Sequence, residues 1–80
     1  MELETGQHYN SRVFWGGPKA IKAAHDFVSH ASKQVDHPFE VSEHGDSNGA
    51  TVDLDEWPDA VGFGDWFGEW AKRWEIQVHD

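Results

Sequence analysis

The segment Gly45-Asp46-Ser47-Asn48-Gly49 constrains the fold of this chain more than any other. Five consecutive turn formers do not fit inside a helix or a strand. Glycine loses the most backbone entropy there, and Asp, Ser and Asn bond their own neighbouring backbone instead. On both sides the apolar residues alternate: Phe39-Glu40-Val41-Ser42-Glu43 before the turn and Ala50-Thr51-Val52-Asp53-Leu54-Asp55 after it. Period two is the repeat of a half-buried strand, so the two runs predict a β-hairpin. Phe39 and Val41 face inward on the first strand, as do Ala50, Val52 and Leu54 on the second. Thr51, Asp53 and Asp55 then face out.

The rest of the chain is punctuated as clearly. Tyr9 to Trp15 reads as a strand, because Val13, Phe14 and Trp15 are β-formers and Gly16-Gly17 ends the run. Pro18 suits a first helical position. Ile21, Ala24, Val28, Ala31 and Val35 then recur at helical spacing, with Phe27 flanking the stripe. Pro38 ends this helix near Val35–His37. Pro58 opens a second helical segment, loose to Phe63 and firm from Asp65, a candidate N-cap, to Trp74. Its stripe is aromatic: Phe63, Trp66, Phe67, Trp70 and Trp74. Gly62, Gly64 and Gly68 lower its propensity and are read as room for close aromatic packing or a bend. Glu75 to His79 alternates again as a short last strand. Residues 1–8 read as a flexible lead. The order β-α-β-β-α-β predicts an α+β single domain of the ferredoxin-like, split βαβ type over residues 1–80, an antiparallel sheet with both helices on one face.

Eighty residues leave room for one core only, which excludes large multi-layer enzyme folds. Eleven aromatics, five of them Trp, exclude a disordered acidic tail. Most of them belong in the core, but Trp15 and Trp57 are candidates for exposed binding anchors. There is no Cys, so disulfides, thiolate-bound metals and thiol catalysis are excluded. No apolar run is long enough to span a membrane, and the acidic, polar N-terminus is unlike a secretory signal, so the expected compartment is the cytoplasm.

The usual signatures of chemistry fail on spacing. Asp53, Asp55 and Asp59 suggest a calcium loop. Pro58 and Gly64, however, stand where the turn glycine and the bidentate glutamate belong. Only a loose cation site remains as a minor reading. Gly62, Gly64 and Gly68 do not match a dinucleotide fingerprint. The six His include no His-x-His or His-Glu-x-x-His pattern, and no nucleophile is marked with a base. No enzyme, cofactor or metal site is expected.

Charge is the remaining signal. The net formal charge is −9, and it is unevenly placed. Residues 1–34 hold three acids and four bases, whereas residues 35–80 hold twelve acids and two bases. Ten acids and no base lie between Lys33 and Lys72. A solvated surface usually mixes both signs, so the unmixed stretch reads either as solubility in a halophilic or acidic proteome or as a selected surface. A base-free half predicts a negative surface for a basic partner, and disfavours direct binding of nucleic acid. Asp53 and Asp55 sit roughly 6.6 Å apart on one face of a strand. Asp65 and Glu69 form a like-charged i,i+4 pair that costs a few tenths of a kcal/mol. Glu40, Glu43, Asp46, Asp53, Asp55, Glu56, Asp59, Asp65 and Glu69, with Trp57, form the expected partner-binding set. Such a ladder of carboxylates imitates a phosphate backbone.

The acidic hairpin Glu40…Asp55 and the segment Asp55-Glu56-Trp57-Pro58-Asp59…Gly64-Asp65-Trp66-Phe67-Gly68-Glu69-Trp70 complete the picture. In size, acidity and lack of cysteine the chain resembles small phage-encoded anti-CRISPR proteins that act on type I surveillance complexes. That resemblance carries no diagnostic motif. It implies a monomeric, non-catalytic, stoichiometric inhibitor in the host bacterial cytoplasm. Its partner would be a Lys/Arg-rich surface of a crRNA-guided, Cascade-like complex that recognises PAM or target DNA. The alternative is a small regulatory module that binds a protein partner through exposed Trp residues.

Overall fold

The structure is a computed structural model that describes residues 2–8, 10–35, 38–54 and 61–79. The elements in chain order are β1 (Leu3–His8), β2 (Ser11–Trp15), α1 (Pro18–Val35), β3 (Glu40–Glu43), β4 (Gly49–Asp53), α2 (Phe63–Trp74) and β5 (Ile76–His79). The hairpin forms where the sequence places it. Glu40 faces Asp53 and Glu43 faces Ala50 across β3 and β4. Asp46 Oδ1 accepts the Asn48 N–H at 3.0 Å, and Asn48 O accepts the Gly17 N–H at 2.9 Å. The hairpin turn is thereby tied to the turn that starts α1.

The five strands form one mixed sheet in the order β3-β4-β2-β1-β5. Neighbours are antiparallel except β1 and β5, which run parallel with Leu3 opposite Ile76. This is a small α+β domain, but not the ferredoxin-like antiparallel sheet that the element order predicts. The cause is β1. Residues 1–8 read as a flexible lead, yet Leu3–His8 is an interior strand, paired with β2 on one side and β5 on the other. Its Glu, Gly and Gln are poor β-formers. The strand exists because Leu3 and Thr5 are buried and both neighbours supply ladder hydrogen bonds.

Both helices pack on the sheet face that carries Phe14. The Phe27 ring of α1 is the hub of the core. It lies 5.5 Å from Phe14, 5.4 Å from Trp70 and 5.6 Å from Phe67, centroid to centroid. The buried side of α1 is Ala20, Ala23, Ala24, Phe27 and Ala31, while Ile21, Val28 and Val35 are only partly buried. The apolar stripe is therefore rotated from the predicted one, with Phe27 at its centre. Alanines let the helix approach the sheet closely, and one large ring fills the space left. In α2, Phe63, Phe67, Trp70 and Ala71 are buried. Gly62, with φ 84°, stands at its N-cap, so Asp65 lies in the first turn rather than at the cap.

Candidate interaction surface

The inward residues of each strand define, by alternation, what faces the other way. Arg12 and Phe14 are buried, so Ser11, Val13 and Trp15 of β2 point away from the helices. The strand registers extend this into a grid. One row across the sheet is Glu40, Asp53, Ser11 and His8. The next is Ser42, Thr51, Val13, Gly6 and His79. The last contains Gly49, Trp15, Glu4 and Gln77. No described element covers this face.

Its side chains are organised at both ends. Ser11 Oγ donates to Asp53 Oδ1 at 3.2 Å, and Asp53 stands directly opposite Glu40. Like charges at directly paired positions destabilise a sheet. At the other end, Trp15 Nε1–H donates to Glu4 Oε2 at 3.0 Å. Glu4 Oε1 lies 2.9 Å from His79 Nε2, and the His79 ring is near-parallel to the indole, 6.0 Å between centroids. Between the two ends, His44 Nε2 contacts Thr51 Oγ1 at 2.8 Å.

Among the described residues the face holds three carboxylates, Glu4, Glu40 and Asp53, and no Lys or Arg. Lys19, Lys22 and Lys33 lie on α1, and Lys72 and Arg73 on α2. Arg12 points the other way, 2% exposed. Its Nε–H donates to Thr5 Oγ1 at 3.1 Å, and its guanidinium lies 5.0 Å from the Phe67 ring centroid. Cations thus belong to the helix layer, and the open sheet face is acidic.

The predicted partner-binding set divides across this architecture. Glu40 and Asp53 come together on the open face. Glu43 lies on the helix side, with Oε2 3.2 Å from His25 Nε2. Asp46 is engaged in the hairpin turn. Asp65 and Glu69 are exposed on α2, where Glu69 lies 3.9 Å from Lys72 Nζ. They are on the far side of the sheet from Glu40 and Asp53, so they do not continue one ladder as the sequence reading expects. Asp55, Glu56, Trp57 and Asp59 lie outside the described residues. Glu4 and His79 were not in the predicted set. The alternation that carries His79 was legible as the last strand, whereas that of Leu3-Glu4-Thr5, and the pairing that brings Glu4 beside His79, becomes legible only once β1 is known to be a strand.

Two further features bear on chemistry. Among the described residues no three His, Asp or Glu side chains converge on a possible metal position. A groove of about 450 Å³ opens beside β5, lined by Glu2, Lys19, Trp74, Glu75 and Ile76 among others. It carries both signs of charge and no nucleophile with a base. No described helix is long and apolar enough to cross a membrane. Comparison with protein-family models, curated proteins and solved structures gives no match.

Proposed function

We propose that this chain is a non-catalytic binding protein whose open sheet face occupies a Lys/Arg-rich surface that otherwise takes nucleic acid. The supporting observation is the separation of charge by layer. Glu40 and Asp53 stand opposite one another, and among the described residues no Lys or Arg lies on their face. That arrangement costs stability in isolation and is repaid when a basic surface covers it. The concrete form we favour is an anti-CRISPR-type inhibitor. In this reading the face blocks DNA binding by a crRNA-guided type I complex. The other reading, a partner bound through a Trp, meets it at Trp15, which is half-buried on the same face.

The test is competition. Purified type I surveillance complex is mixed with the protein and target DNA, and DNA binding is read by gel shift. Stoichiometric displacement of DNA, weakening steeply with salt, is the expected result. The double variant Glu40→Gln/Asp53→Asn should lose about tenfold in affinity, roughly 1.4 kcal/mol. Asp65→Asn/Glu69→Gln, on the other side of the sheet, should change little. Simultaneous binding of DNA and protein without competition rules the inhibitor reading out.

A further inference from the structure

We infer that the open face captures an arginine of its partner, with the guanidinium stacked on the Trp15 indole and donating to Glu4. This inference rests on the acidic face being the docking surface, and it adds the anchor and the type of partner residue.

Three observations carry it. First, Trp15 is built as a platform. A Cβ on Gly6 would come within 3.1 Å of the indole Cη2, so the missing side chain on β1 leaves room for the edge of the ring there. The Glu4 carboxylate fixes the indole N–H, and the near-parallel His79 ring takes one side of the indole, which leaves the guanidinium the other. The core lies on the opposite face, so the ring contributes nothing to it. Second, Glu4 has capacity left. An ionised carboxylate offers about four acceptor sites, and Trp15 and His79 use two. The Glu4 side chain is 33% exposed, so those sites are reachable. Third, among the described residues no Lys or Arg lies on this face, so beyond His79 nothing among them competes for the remaining acceptor sites of Glu4.

Arginine fits better than lysine. Its planar, weakly hydrated guanidinium stacks on an aromatic face while its N–H groups reach a carboxylate beside it. An ammonium is a compact, strongly hydrated charge and does not do both. The grid also sets the spacing. Trp15 and Ser11 are four residues apart on β2, roughly 13 Å along the strand. An arginine at Trp15 and Glu4 therefore leaves a second cation facing Glu40 and Asp53 about 13 Å away.

The experiment uses octa-arginine and octa-lysine as probes. Binding to the ¹⁵N-labelled protein is followed at the indole N–H resonances. Trp15 is assigned with Trp15→Phe, and the Trp70 and Trp74 resonances serve as controls because Asp26 holds both N–H groups. Octa-arginine should bind roughly two- to fivefold more tightly than octa-lysine and shift the Trp15 N–H. Trp15→Leu should erase that preference while leaving salt-dependent binding. Equal affinities with an unmoved Trp15 resonance, and binding still lost in Glu40→Gln/Asp53→Asn, overturn the arginine anchor but not the acidic face. Failure of both peptides to bind at low salt overturns both. The resonance shift is read on the unaltered protein, so the test stands even if Trp15→Leu does not fold.

Discussion

Asp26 places its carboxyl group at the seam between the two helices. Its Oδ2 accepts the indole N–H of Trp70 at 2.8 Å and of Trp74 at 3.0 Å. Buried indoles need an acceptor, and here one oxygen serves two. Asp26 thereby ties α1 to α2 near the end of the chain. In the sequence it reads only as a polar residue off the apolar stripe of α1, since nothing links it to residues more than forty positions away. Asp26→Ala leaves two donors without their partner and should cost about 2 kcal/mol. Asp26→Asn keeps an acceptor oxygen and should cost less than half of that. A shift in the denaturant midpoint at unchanged slope is the measurement. Glu4 is the counterpart on the other face, where one carboxylate serves Trp15 and His79.

At the scale of the element, α2 is held by packing rather than by propensity. Gly64 and Gly68 weaken an already short helix, and a Cβ at either would meet nothing within 4 Å. They are not needed for close packing, contrary to the sequence reading. The helix persists because Phe63, Phe67 and Trp70 are buried around Phe27. Gly64→Ala and Gly68→Ala should each raise stability by roughly 0.5–1 kcal/mol, visible as a higher melting temperature. Gly16 is the reverse case. Its φ is 128° and a Cβ would come within 2.3 Å of the Glu2 carbonyl oxygen, so no side chain fits there. The Gly-Gly-Pro boundary of α1 was legible for this reason, because only glycine makes such a turn and proline suits the position after it.

For the whole molecule, β1 decides the architecture. It separates β2 from β5 and makes the sheet five-stranded and mixed. Removing residues 1–8 should therefore abolish cooperative unfolding, measured by circular dichroism and thermal melting. A flexible lead would be removable without effect. The charge pattern also changes meaning at this scale. Along the chain the acids fall in the second half. In space the described ones separate: Glu4, Glu40 and Asp53 share the open sheet face, Glu43 lies on the helix side, Asp46 in the hairpin turn, and Asp65 and Glu69 on the exposed side of α2. The sequence by itself determined the hairpin, both helices, the last strand, and the outward direction of Asp53. Each of those follows from local periodicity and from residues that forbid continuation of an element. Only the tertiary structure decided that Leu3–His8 is a strand, that Phe27 is the hub, that Asp26 bridges two indoles, and that Glu4, Trp15 and His79 meet. Those outcomes depend on partners distant in sequence. A strand of poor β-formers or a carboxylate off the apolar stripe shows its role only when the chain brings those partners alongside.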